Sequence, residues 1–301
     1  MYFKNLNSTL NKFYHFFTNG KDYQYLTFFR ICVPLVALAD LMSLRHDLPL
    51  FFSQKNTIIP QELLYLFSEY YEYLKPLYDT LAEYALTETF YSWSVWIYVA
   101  CLISLMFGFL SRFSALIALL LQLIIFKSFT VFNFGYDQFL TMSLFYCLIF
   151  PVGKIDSIDN RLFRNNGLKH HFDYQKILRI HLGTIYLFAG LAKIISATWW
   201  NGEAIWRALS SIYDDLFKIH PAIMAFAGIC TIAIETFYPL MVSFKKTRKF
   251  TVYSMVLMHI LIAVLLDLPM FAGIMIVWNI SSYYSYFVKS SQKTILCPES
   301  V

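Results

Sequence analysis

The chain has 301 residues, of which 58% are hydrophobic and 19% aromatic, while only 14% are charged. A soluble globular protein carries roughly 25% charged residues, so this composition excludes an ordinary soluble domain and predicts a protein that crosses a membrane several times. The net charge of +5 comes from basic residues in short loops beside apolar stretches. That pattern indicates membrane topology, and no nucleic-acid partner is expected.

Residues 1–22 form the first predicted element. They contain neither a long apolar run nor a small-residue cleavage site, so we expect no removable signal peptide. Large apolar residues recur at helical spacing from Phe3 to Phe17, which predicts an amphipathic helix on the cytoplasmic membrane surface. At the other end, residues 291–301 are predicted to form a cytoplasmic tail.

Residues 23–290 are predicted to form one transmembrane domain with an all-α fold. Stretches long enough to cross about 30 Å of hydrocarbon predict about eight spans. They are residues 25–44, 93–110, 113–131, 138–152, 177–195, 222–244, 250–266 and 269–288. Pro269 favours a turn between the last two spans rather than one overlong helix.

The lysine and arginine positions orient these spans. With the N-terminus in the cytoplasm, sixteen fall inside and six outside, the bias expected of a multi-pass protein of the cell membrane. Both termini are therefore predicted to be cytoplasmic. Two long connections, residues 46–92 and 196–221, are then on the outer face. An apolar stripe at helical spacing predicts an amphipathic helix in the first, and the tryptophans of the second predict an interfacial aromatic segment.

One lysine lies inside an apolar helix. Lys193 lies within the apolar run from Ile185 to Ile195, which is followed by Trp199, Trp200 and Gly202, an interfacial or substrate-binding segment. A charged side chain in hydrocarbon costs about 2.5 kcal/mol or more unless it is paired, so this lysine indicates a functional site. A buried neutral amine suits an acidic proton on a lipid-soluble molecule. Alternatively, the lysine reaches past the tryptophans to the outer headgroups.

Other polar residues of the spans fall into two sets. Counting 1.5 Å per residue places Asp40, Asp137 and His259 in the outer half, near Lys193. Arg30 and Glu235 are placed deeper, where they are predicted to pair with each other.

Each outer residue has a simpler alternative. His259 acts as a proton relay or is only a hydrogen-bonded bundle residue. Asp137 tunes the site or merely caps its helix. Asp40 tunes the site or pairs with Arg45 or His46. His170 and His171 lie in a loop without further ligands, so no metal site is expected.

These residues carry a family resemblance. The run from Ile185 to Lys193, with Trp200 and Gly202, resembles the active-site segment of vitamin K-dependent gamma-carboxylases and of the wider group named for a horizontally transferred transmembrane (HTTM) domain. Residues 28–40, 107–112, 234–239 and 258–259 resemble further family segments in the same order. The resemblance implies that Lys193 is the base that deprotonates a vitamin K-like hydroquinone, with His259 in a supporting role.

Two departures from the family pattern concern the reaction. The carboxylase histidine after the fourth span is replaced by Gly153 and Lys154, and the lumenal substrate-recognition domain has no counterpart, so glutamate carboxylation is not expected. Short bacterial members help to mature an exported, sporulation-delaying peptide toxin. The prediction is therefore a membrane enzyme or maturation factor that acts on a lipophilic, quinone-like cofactor or an exported peptide.

The expected partners are the lipid bilayer and an exported peptide or small accessory protein. A membrane assembly or binding component without turnover is the alternative function, and a transporter is a third.

Overall fold

The computed structural model describes residues 23–48, 71–126, 133–163, 172–213 and 219–288, and these are helical and free of strands. This confirms the all-α class within those ranges. The predicted N-terminal helix (residues 1–22), the tail (residues 291–301) and the pair His170 and His171 lie outside the described residues.

The described part contains thirteen α-helices, numbered here in chain order. They are α1 (Gln24–Leu44), α2 (Tyr71–Glu83), α3 (Thr87–Phe107), α4 (Ser111–Leu121), α5 (Gly135–Ile149), α6 (Ile158–Leu162), α7 (Tyr174–Ile195), α8 (Ala197–Trp200), α9 (Glu203–Ser210), α10 (Pro221–Thr236), α11 (Tyr238–Ser243), α12 (Lys245–Leu265) and α13 (Pro269–Ser282). A π-helical turn, Gln122–Phe126, continues α4, and short 3-10 turns occur at Val152–Lys154 and Tyr284–Tyr286.

Helix α13 lies at the centre of the bundle, in contact with α1, α5, α7 and α12. A helix surrounded in this way is apolar on nearly every side. Its Trp278 is fully buried, donates a hydrogen bond from Nε1 to Ser143 Oγ at 2.7 Å, and packs edge-on against Phe29 and Phe139. The two halves of the chain therefore share one core across α13.

Four of the helices are long and apolar enough to cross a membrane: α1, α3, α7 and α12. Three shorter apolar segments accompany them, namely α4 with its π-helical turn, α10 and α13. Four apolar helices are compatible with residence in a membrane, and the count of eight spans stays a prediction. The predicted span 222–244 is not continuous, because the helix breaks at Phe237 and restarts as α11, with Pro239 in its first turn.

The connection before α3 contains the helix that its apolar stripe predicts. In α2, Leu74 and Tyr78 are buried, and the Tyr78 ring stacks on Tyr91 of α3 with 6.3 Å between centroids. The Tyr78 hydroxyl also donates to the carbonyl oxygen of Ile124 at 3.2 Å. Within its described part, this connection packs on the helical bundle.

Candidate functional site

Lys193 is paired with Glu235. Its Nζ donates to Glu235 Oε2 at 2.6 Å, which joins α7 to α10 across 42 positions of sequence. The side chains are only 19% and 8% exposed. A charge-assisted bond of this length in a shielded place is among the stronger polar contacts that a protein makes.

This pair corrects the predicted depths, which put Lys193 and Glu235 in opposite halves of the bundle. Glu235 lies about 21 Å along α10 from Pro221, at 1.5 Å per residue. Lys193 lies at the same level although it is almost the last residue of α7. The end of α7 therefore lies inside the bundle, and the chain leaves the bundle only further along.

The reason is the path of the chain after α7. The carbonyl oxygen of Trp199 lies against Gly228 of α10, and Gly202 lies against the backbone of Ala225. Residues 196–202 thus continue alongside α10 towards its beginning. Gly202 has a φ of +82°, which glycine adopts without a steric penalty.

Trp199 and Trp200 close over the end of α7. The Lys193 Nζ lies 4.9 Å from the centroid of the Trp199 ring, a cation–π contact. The Trp200 indole donates to the carbonyl oxygen of Ile194 at 2.9 Å and is itself 46% exposed. Trp199 is therefore part of the lysine site, while Trp200 satisfies a backbone carbonyl at the helix end.

The backbones of α7 and α10 approach each other closely next to the Lys193–Glu235 pair. Gly190 is buried against Thr236, and a Cβ at residue 190 would overlap the threonine. The Thr236 hydroxyl is buried without a hydrogen-bond partner among the described residues. A buried hydroxyl without a partner is uncommon, and it lies next to Glu235 in the chain.

His259 lies near the face of α7 that carries Lys193, but no described contact joins the two side chains. The described contacts of its ring are with Tyr186 and Phe271, at centroid distances of 6.0 and 6.1 Å. Tyr186 precedes Lys193 by two helical turns, about 10 Å along the axis. His259 Nδ1 is 2.8 Å from the carbonyl oxygen of Met255. Because a carbonyl only accepts, Nδ1 carries a proton, and in the neutral form of the ring Nε2 is then an acceptor.

Comparison with protein-family models, with curated proteins and with solved structures finds no match.

Arg30 is not the partner of Glu235, and the predicted pair is wrong. The Arg30 guanidinium donates to three backbone carbonyl oxygens, those of Val152 and Ile155 at 3.1 Å and of Asp156 at 2.8 Å. Only 2% of Arg30 is exposed. Its planar fork of donors suits several fixed acceptors, so it fastens the connection after α5 to α1.

Asp40 and Asp137 lie within electrostatic reach of each other, and no described bond joins either of them to Lys193. Asp137 Oδ2 accepts from the backbone N–H of Phe134 at 2.9 Å, so its capping role is confirmed. The proposed partners of Asp40 bind each other instead, since Arg45 Nε donates to His46 Nε2 at 3.0 Å. The described hydrogen bonds and ion pairs of Lys193 therefore include neither carboxylate.

One cavity lies beside the connection between α7 and α10. It has a volume of 420 Å³, and its lining includes Gly202, Glu203, Trp206 and Met224 but neither Lys193 nor His259. Of the predicted interfacial residues, Gly202 is the one that reaches it. No group of three or more potential metal-ligating side chains occurs in the described ranges.

Tyr186 and Asn279 belong to the site's surroundings and were missed by sequence reasoning. Asn279 Nδ2 donates to the Tyr186 hydroxyl at 2.6 Å and to the Met275 carbonyl oxygen at 2.8 Å, and both side chains are buried. The available signal was spacing: residues 186, 190 and 193 share one face of a helix. A polar residue within the apolar run of α13 was the second signal.

Proposed function

We propose that this chain is a multi-pass cell-membrane protein of the carboxylase-like HTTM type, in which Lys193 acts as a base on a lipophilic, quinol-like molecule. The observation that supports this most strongly is the shielded Lys193–Glu235 pair with its 2.6 Å separation. An exported peptide is the second proposed substrate, and both termini are proposed to be cytoplasmic.

Proton transfer within the pair supplies a neutral amine and leaves the net charge of the pair unchanged. In a medium of low dielectric constant, desolvation offsets much of the attraction between an ammonium and a carboxylate. Moving the proton from Lys193 Nζ to Glu235 Oε2 over their short bond gives a neutral amine beside a neutral acid. The amine then takes the proton of a hydroquinone hydroxyl: the O–H bond breaks, an N–H bond forms, and the ammonium faces the new phenolate.

The surroundings suit an anionic intermediate. The Trp199 ring favours the charged state of Lys193 through its π face, and so stabilises the ammonium that forms in this step. The Thr236 hydroxyl is an additional donor that lacks a partner among the described residues. His259 is proposed to support proton movement along the Tyr186 face, with Nε2 as its acceptor.

The test uses menadiol, a soluble naphthohydroquinone, with the full chain in lipid nanodiscs. Deprotonation accelerates oxidation of a hydroquinone, so oxygen uptake measures the base. General-base catalysis contributes about 100-fold or more. Lys193→Ala and Lys193→Arg should therefore both lower the catalysed rate about 100-fold, because arginine keeps the charge but supplies no neutral amine.

Lys176→Ala is the matched control on the same helix. Lys176 pairs with Asp173 at 3.7 Å in the first turn of α7, far from the proposed base, and its loss should leave the rate unchanged. Full activity of Lys193→Arg would rule out the base, as would a wild-type rate equal to that of empty nanodiscs.

An assembly role without turnover is the second candidate, and the close packing of Gly190 on Thr236 favours it. In that case the ion pair only fastens α7 to α10. The exchanged variant Lys193→Glu/Glu235→Lys should then recover what each single change loses in stability and in function. For an enzyme, the exchange restores stability but not the menadiol rate.

A further inference from the structure

A second cavity lies at the opposite end of the bundle from the connection between α7 and α10. It has a volume of 350 Å³ and lies between the turn that joins α3 to α4 and the connection after α5. The distribution of lysine and arginine assigns this end to the cytoplasm. Its volume is within the range of small-molecule sites, which are about 300–1,000 Å³.

Hydrogen bonds hold both walls in place. The Asp159 carboxylate accepts from the backbone N–H of Leu110 at 2.7 Å, from the backbone N–H of Ser111 at 2.8 Å and from the Ser111 hydroxyl at 2.7 Å. In return, the Asp159 N–H donates to the carbonyl oxygen of Gly108 at 2.9 Å. Arg30 fastens the far side through its three carbonyl bonds. The cavity is thus part of the fold rather than a gap between loose segments.

The charges that line this cavity are unbalanced. In the described lining the one carboxylate, Asp159, already accepts hydrogen bonds from the backbone N–H groups of Leu110 and Ser111 at the start of α4. The two cations of the lining, Arg112 and Lys154, have no carboxylate partner among the described residues. The cavity therefore has two positive charges available for a ligand.

Three phenylalanines also line the cavity. Phe150 is fully buried, while Phe113 and Phe163 are 61% and 59% exposed. Exposed phenylalanines beside cations match the two halves of a phospholipid, since the rings contact acyl chains and the cations contact the phosphate. A free phosphate ion would use the cations but not the rings.

We propose that this cavity binds the headgroup of an anionic phospholipid of the inner leaflet, with the phosphate between Arg112 and Lys154 and an acyl chain along Phe113. The occupant fixes the position of the α3–α4 turn at the membrane surface. This site is separate from Lys193 and does not depend on the function proposed for it.

The experiment measures phosphatidylglycerol binding to the full chain by native mass spectrometry, in detergent that contains phosphatidylcholine as competitor. Each basic residue near an anionic surface contributes about fivefold in affinity. The variant Arg112→Gln/Lys154→Gln should therefore bind phosphatidylglycerol about 25-fold more weakly. The charge-preserving variant Arg112→Lys/Lys154→Arg should retain most of the affinity and shows that the fold tolerates changes here.

Lys245→Gln/Lys246→Gln is the control for general surface charge. It removes two exposed cations at the start of α12, on the same predicted side, and should change binding less than twofold. Equal loss in this control would overturn the proposal. So would equal binding of phosphatidylcholine, or displacement of the lipid by millimolar inorganic phosphate, which would identify a free-anion site instead.

Discussion

The carbonyl oxygen of Trp199 occupies the space that a side chain at Gly228 would fill. This contact lets residues 196–202 run beside α10, which keeps the Trp199 ring over the Lys193 ammonium. The absence of a Cβ at Gly228 on α10 therefore allows the Trp199 ring to lie against the Lys193 ammonium of α7.

Gly228→Ala should destabilise the protein by about 1–3 kcal/mol, the usual cost of overpacking. The new Cβ meets a backbone atom, which cannot swing aside as a flexible side chain would. Urea unfolding in detergent measures the effect. Gly273→Ala is the control, because its Cβ would lie 3.6 Å from the Val36 methyl groups, an ordinary contact. Equal behaviour of the two variants would show that the Trp199 segment does not rest on Gly228.

Arg30→Gln should destabilise the chain by about 3 kcal/mol or more. The shorter amide cannot reach the three carbonyl oxygens that the guanidinium binds, and each buried acceptor left without a donor costs about 1–3 kcal/mol. Thermal unfolding in detergent checks this. Arg161→Gln removes an exposed arginine of α6 and should shift the midpoint little. A small effect of Arg30→Gln would mean that water replaces the guanidinium.

Much of the fold could be predicted from the apolar runs, because a helix must satisfy its own backbone wherever water is absent. The prediction reached the ends of α1, α7 and α12 within a few residues. It missed the break at Phe237, although Pro239 is a signal that a helix restarts.

The site was predicted less well, for two physical reasons. Depth was counted from the helix ends, on the assumption that each end lies at the membrane surface. The end of α7 does not fit this assumption, because residues 196–202 continue beside α10. Glu235 was therefore placed at the wrong depth relative to Lys193. Arg30 was paired with Glu235 because both were placed deep in the bundle, but the partners of Arg30 are backbone carbonyls, which every residue has. Sequence carries no mark for such acceptors.

Asp159→Asn should lower stability by about 1–2 kcal/mol, since an amide oxygen replaces a carboxylate that accepts three hydrogen bonds at the start of α4. Asp156→Asn is a closely matched control. The side chain of Asp156 is exposed, its backbone oxygen rather than its carboxylate accepts the hydrogen bond from Arg30, and asparagine tolerates its φ of +44°. Because the Asp156 charge also acts on Arg30 electrostatically, Asp79→Asn on the exposed face of α2 is the second control. Differential scanning calorimetry of these variants tests the difference, and equal midpoints would contradict the capping role.

Lys193 and Glu235 should show strong energetic coupling in a double-mutant cycle. Removing one partner leaves a shielded charge alone, so Lys193→Met and Glu235→Met should each destabilise by about 3 kcal/mol or more. The double variant replaces the pair with apolar side chains and should lie close to wild type, because well-packed hydrophobic replacements of buried ion pairs are often neutral. Urea unfolding in detergent gives the four free energies. Additive losses would mean that the two charges reach other partners, and the pair could then serve neither as a base nor as a helix contact.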